Sequence, residues 1–115
     1  MGNGCSLGVE IDGGPEDRTV VRLGELPVVF GRGRPPVSDI CLNDIYIARR
    51  HFGIWWNEQV RAHEVRDYNN ISALKVNGAS LHIGETHFLE IGDILEIGRF
   101  RLRYIELPSE SKMQD

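Results

Sequence analysis

The chain has 115 residues with 41% hydrophobic and 26% charged side chains, enough apolar material for one core and close to the globular average. A formal net charge of −4 argues against general nucleic-acid binding, which needs a basic surface to displace counterions from phosphates. No apolar run approaches the ~20 residues of a membrane-spanning helix, and Cys5 and Cys41 make neither a disulfide framework nor a metal-ligand spacing, so a reducing compartment is the simpler expectation.

At the start, Met1-Gly2-Asn3-Gly4-Cys5-Ser6 matches the N-myristoylation pattern, with Gly2 as acceptor and Cys5 available for a second acyl chain. The competing reading is a flexible Gly-rich leader over 1–6. No apolar stretch of a secretory signal follows it, so the sequon Asn70-Ile71-Ser72 carries no glycosylation argument. A cytoplasmic setting is expected, with membrane association only through the lipid.

From there, short β-branched and aromatic runs alternate with Gly, Pro, Asn and Asp, the punctuation of a strand-rich chain. Strands are predicted at Leu7 to Ile11, Thr19 to Leu23, Val28 to Gly31, Ile40 to Leu42 and His51 to Asn57. Further strands are predicted at Val60 to Arg66, Leu74 to Val76, His87 to Ile91, Ile94 to Ile97 and Phe100 to Glu106. Ten such runs and no convincing helix fit an all-β sandwich of two antiparallel sheets. Asn57-Glu58 reads as a tight hairpin, and Asn77-Gly78 as the positive-φ pair of a short turn. In Phe100-Arg101-Leu102-Arg103-Tyr104 the apolar residues alternate with basic ones, so the even-numbered positions should face inward. Trp55-Trp56 should send one ring to the core and one outward. The tail 108–115 is polar and lacks periodicity, leaving 7–107 as the folded domain.

Five ordered motifs carry a family resemblance over roughly residues 7 to 107. They are Gly31-Arg32 at a strand end, Asp39-Ile40-Cys41-Leu42, and Ala48-Arg49-Arg50-His51 preceded by Asn43-Asp44 and Ile47. The run Asp67 to Gly78, closing on Asn77-Gly78, and Ile91-Gly92-Asp93-Ile94-Leu95-Glu96-Ile97-Gly98 complete the series. In this order they resemble the forkhead-associated (FHA) domain, a phosphothreonine-reading β-sandwich of about ten or eleven short strands with its binding loops at one end.

The resemblance implies roles for particular residues. Arg32 takes the phosphate-contacting arginine position, and its guanidinium suits two parallel bonds to phosphate oxygens. Arg49 falls where the family places a basic or polar residue beside the ligand, and Arg34 and Arg50 add positive field. Ala48 stands where the family has a serine that donates to phosphate, Ile71 where it has a threonine, and Ser72 where it has an asparagine that bonds the ligand backbone. Asn70 or Asn69 is a substitute donor if the loop is rearranged. Gly31, His51, Asn77 and Gly78 are implied to support the loops, and His51 is expected to brace them rather than to catalyse.

His63, His82 and His87 show no metal spacing and are expected at the surface or a sheet edge. Gly31-x-Gly33 lacks the helix and lysine of a nucleotide loop and reads as a strand-exit turn. No nucleophile, base or metal constellation supports an enzyme, and no cofactor, nucleic acid or small-molecule substrate is indicated. The expectation is a protein-interaction module of the adaptor or scaffold kind, acting through its loop end with weakened or lost phosphothreonine dependence. The alternative is a genuine phosphothreonine-peptide reader in Ser/Thr kinase signalling that uses Arg32 and Arg49. Its partner would be a protein or phosphoprotein, and the chain a monomer or a subunit of a larger assembly.

Overall fold

The computed structural model describes residues 6–13, 19–69 and 72–108. Eleven strands follow one another: β1 (Ser6–Asp12), β2 (Thr19–Leu23), β3 (Val28–Gly31), β4 (Ile40–Cys41), β5 (Phe52–Asn57) and β6 (Ala62–Asp67), then β7 (Lys75–Val76), β8 (Ala79–Ser80), β9 (Thr86–Phe88), β10 (Ile94–Ile97) and β11 (Phe100–Leu107). One sheet has the order β2-β1-β11-β10-β7-β8 and the other β4-β3-β5-β6-β9. The strand pairings among the described residues are antiparallel with one exception: β3 and β4 run parallel, in the register Phe30↔Ile40 and Gly31↔Cys41. Because β4 has only two residues, the chain between β3 and β4 need only double back through the loop at 32–39 to reach that alignment.

The two inner faces meet in a core that includes Val9, Phe30, Leu42, Ile47, Phe52, Ile54, Val65, Leu74, Leu95 and Leu102. Phe30 and Phe52 are directly paired across β3 and β5, with their rings stacked at 4.8 Å between centroids. On β11, Phe100, Leu102 and Tyr104 are buried while Arg101 and Arg103 are exposed, the alternation a one-sided strand requires.

Several local expectations are corrected. Asn57-Glu58 is not a two-residue hairpin: Asn57 pairs with Ala62, and a four-residue loop closes through the Arg61 N–H donating to the Asn57 carbonyl at 2.7 Å. Asn57 caps this loop, its Oδ1 accepting from Gln59 and Val60 N–H, and Arg61 takes the positive φ of 61°. Neither Trp55 nor Trp56 belongs to the core, and both are half-buried. Trp55 lies under the Arg66 guanidinium, and Trp56 packs edge-on against His63. His63 is buried, not superficial. Its Nε2 donates to the Gly24 carbonyl at 2.9 Å and its Nδ1 accepts from the Tyr104 hydroxyl at 2.6 Å. The unpredicted strand β8 pairs with β7 through the Asn77-Gly78 turn, where both residues have positive φ, 52° and 88°.

Gly2, Cys5, nearly all of the expected 1–6 leader and of the 108–115 tail, and the pair Asn70-Ile71 lie outside the described residues.

Candidate functional site

Four connections gather at one end of the sandwich: β3 to β4 (32–39), β4 to β5 (42–51), β6 to β7 (68–74) and the turn Gly98-Arg99 between β10 and β11. The first two are stitched together by backbone. The Arg32 N–H donates to the Ala48 carbonyl at 2.8 Å, Gly33 N–H to the Arg49 carbonyl at 3.1 Å, and His51 N–H to the Phe30 carbonyl at 2.9 Å. Gly31 makes that approach feasible, because a Cβ there would collide with the Arg49 carbonyl oxygen. The 32–39 loop is closed internally by Val37 N–H donating to the Arg34 carbonyl and by the buried Ser38 hydroxyl donating to the Gly33 carbonyl.

His51 joins the second loop to the third. Its ring is fully buried, Nδ1 accepts the Ala48 N–H at 2.9 Å, and Nε2 faces the Ser72 carbonyl at 2.8 Å. An amide N–H only donates and a carbonyl only accepts, so these partners select the tautomer with the proton on Nε2. Behind His51 sits Asp67, also fully buried, with Oδ1 3.6 Å from Nε2. Burial pushes the Asp67 carboxyl above its ordinary range, opposed by the Asn69 N–H, by His51 and by the Leu74 N–H. Its Oδ2 has no hydrogen-bond partner among the described residues.

Asp44 joins the second loop to the fourth. Its Oδ1 accepts from Tyr46 N–H and its Oδ2 from Arg99 N–H, each at 2.9 Å. The Tyr46 bond and then the Arg99 bond hold its carboxyl below the ordinary range. Arg99 in turn donates from Nη2 to the Asn43 carbonyl at 3.0 Å. An open groove runs between these pinned loops, bordered by Ile45, Tyr46, Ser72 and Gly98.

The residues singled out from the sequence separate into groups. Arg32, Arg34, Ala48, Arg49 and Ser72 are all at this end. Arg32 is exposed, but its Nε donates to the Ile47 carbonyl at 3.0 Å, which fixes its stem and leaves the outer edge of the guanidinium outward. Arg34 and Arg49 are exposed. Arg50 is tied to the Val37 carbonyl at 2.8 Å. Ala48 is only 5% exposed and brings no hydroxyl to this end. Asn77 and Gly78 are not brought here. They sit beyond β7, where Asn77 Nδ2 donates to Asp93 and its Oδ1 accepts from Ile94 N–H, at the far end of β10 from Gly98.

Three features of the site went unassigned in the sequence. Asp44 and Asp67 gain their roles only from partners 55 residues and 16 residues away, Arg99 and His51. Ile45 and Tyr46, 79% and 62% exposed, form an apolar step beside the groove. The interruption of the loop by Ile-Tyr between Asp44 and Ile47 was the available signal.

A family model for the FHA domain matches residues 28–98, well over half of the chain. The chain belongs to the FHA family. As an FHA domain it is a protein-interaction module. Relatives include the oxoglutarate dehydrogenase inhibitor of Corynebacterium diphtheriae, 37% identical over 76 residues, covering 66% of this chain and 50% of that protein. This FHA chain therefore spans about half the length of the curated relatives it matches. Among solved structures, one from work on phosphothreonine-dependent FHA domain interactions superimposes with a TM-score of 0.73 at 25% identity, covering 90% of this chain and 98% of the other. The FHA domain of FhaA, complexed with the intracellular domain of Rv3910, gives 0.71 at 25% identity, covering 86% of this chain and 99% of that one.

Proposed function

We propose that this FHA domain captures a protein partner through its loop end with phosphothreonine dependence weakened or lost. One observation carries the reading: Ala48 places a buried methyl where phosphate would need a hydroxyl, while its N–H is already committed to His51. A hydrogen bond to a charged group contributes roughly 1.5–3 kcal/mol, so this loss alone costs about tenfold to a hundredfold in affinity for phosphate. The exposed Ile45 and Tyr46 offer contact area that needs no phosphate.

A second reading has its own support. Arg32 and Arg49 keep exposed guanidinium groups at the loop end, and the chain is 25% identical to a domain studied for phosphothreonine-dependent interactions. Calorimetric titration against a degenerate phosphothreonine peptide pool and its unphosphorylated twin separates the two. Equal heats from both pools support phosphate independence. Binding confined to the phosphorylated pool and abolished by Arg32→Ala overturns it.

A cytoplasmic setting, with membrane attachment if Gly2 is acylated, belongs to the same proposal. Mass spectrometry of the native N-terminus tests the lipid, and an unmodified Gly2 removes it.

A further inference from the structure

Charge is distributed unevenly over this molecule. The chain as a whole carries −4, yet four of its 13 basic residues, Arg32, Arg34, Arg49 and Arg50, fall on two loops that are hydrogen-bonded to each other. The acidic side chains on the same loops, Asp39 and Asp44, accept backbone N–H groups. Asp39 Oδ2 accepts the Val29 N–H at 2.8 Å, and both Asp44 oxygens accept N–H groups. Among the described residues, none of these four arginines forms an ion pair with a carboxylate. Two of them have part of their donor set occupied by carbonyls, Arg32 by Ile47 and Arg50 by Val37. No side-chain hydrogen bond or ion pair within the described residues engages Arg34 or Arg49.

The donors that remain favour one anion over another. A phosphate monoester presents three acceptor oxygens on a tetrahedron, so one guanidinium fork satisfies two of them and leaves the third for a donor from another direction. A carboxylate presents two oxygens in a plane, and a single guanidinium fork satisfies both without a third donor. Ala48 offers no hydroxyl for that third phosphate oxygen, while the guanidinium forks remain. Close to Arg32 stands an apolar step: Ile47, whose carbonyl holds Arg32, directly follows the exposed Ile45 and Tyr46.

We infer that the loop end takes an acidic peptide segment, its carboxylates held by Arg34, Arg49 and the outer edge of Arg32, with an apolar side chain of that segment seated against Ile45 and Tyr46. This rests on the phosphate-independent reading above and gives its partner a chemistry. An exposed Arg–carboxylate pair contributes less than about fivefold in affinity. Recognition therefore requires several carboxylates in a row plus the apolar anchor, and it weakens with added salt as screening sets in.

The test is fluorescence anisotropy of the intact chain with four labelled probes. They are a peptide of Asp and Glu with one central Leu, the same peptide with Asn and Gln, a phosphothreonine peptide of otherwise uncharged residues, and a single-stranded oligonucleotide of matched charge. The expected result is binding of the acidic peptide above the other three, falling with salt. The double variant Arg34→Gln/Arg49→Gln should lower it roughly tenfold, and Arg101→Gln on the outer face of β11 should leave it unchanged. Tryptophan fluorescence during urea unfolding verifies that each variant is folded. Equal binding of the acidic and amide peptides, both lost with Tyr46→Ala, overturns the acidic partner and leaves the phosphate-independent reading standing. Preference for the phosphothreonine probe, lost with Arg32→Ala, overturns both. Tighter binding of the oligonucleotide, or no binding of the acidic probe, overturns the acidic partner.

Discussion

The imidazole of His51 accepts the Ala48 N–H at 2.9 Å on one side and faces the Ser72 carbonyl at 2.8 Å on the other, so one buried ring sets the spacing of two loops. The brace between residues 48 and 72 uses only their backbone, so it does not depend on the side chain at either position.

Truncation of that brace tests its structural weight. His51→Ala leaves a buried N–H and a buried C=O without partners, each costing about 1–3 kcal/mol. A loss of roughly 3 kcal/mol in urea denaturation is expected, with faster amide exchange at Ala48. Unchanged stability would mean that the loops hold their spacing without it.

Restoring the hydroxyl should restore phosphate reading. Ala48→Ser is expected to raise affinity for a phosphothreonine peptide about tenfold or more, the yield of one charge-assisted hydrogen bond. Calorimetry against the same peptide without phosphate is the control. No gain would show that position 48 is not what limits phosphate binding.

His63 makes stability sensitive to mild acid. Burial lowers its pKa from the ordinary 6.5, with the Gly24 carbonyl opposing. The unfolded chain thus takes up a proton below pH 6.5 while the folded chain does not. Stability should fall as pH drops from 6.5 toward the lowered folded value, then level off on this account. Urea midpoints across that range should show the slope in the parent, and His63→Gln should flatten it.

Asp67 acts with the opposite sign. Its pKa is raised above 3.8 chiefly by burial, so the folded chain binds a proton that the unfolded chain has released. That contribution is largest below pH 3.8 and declines as pH rises through the folded value. Asp67→Asn should remove the decline and be at least as stable as the parent at neutral pH. A large loss at neutral pH would show that the ionised carboxylate is required beside His51.

Asp44 holds the groove open in a fixed shape. Its pKa is lowered by the Tyr46 and Arg99 N–H groups, so its stabilisation is present above pH 3.8 and lost as pH falls through the lower folded value. Asp44→Ala should cost about 1–2 kcal/mol and release Ile45 and Tyr46 from their presentation. Binding of an apolar-anchored peptide should weaken in parallel with that unpinning.

Some elements are fixed by local pattern and others by distant partners. Strands such as Val28–Gly31 and Ile94–Ile97 end where the pattern says, because apolar runs and their Gly neighbours are local. The β5–β6 turn differs because Asn57 spends its side chain on capping, which lengthens the loop without changing its composition. His63 differs because burial depends on Gly24 and Tyr104, far along the chain.

Residue types at short spacings are enough to specify most of the strand series, the sandwich and the family, because each strand's apolar run and its turn residues are local. That Asp44 and Asp67 are committed to holding loops, that Arg32 and Arg50 are partly spent on carbonyls, and that Ile45 and Tyr46 stand exposed beside a groove follows only from the folded chain. Those outcomes depend on which backbone donors and acceptors arrive from distant strands. A buried or half-buried polar group is defined by the partner that meets it there.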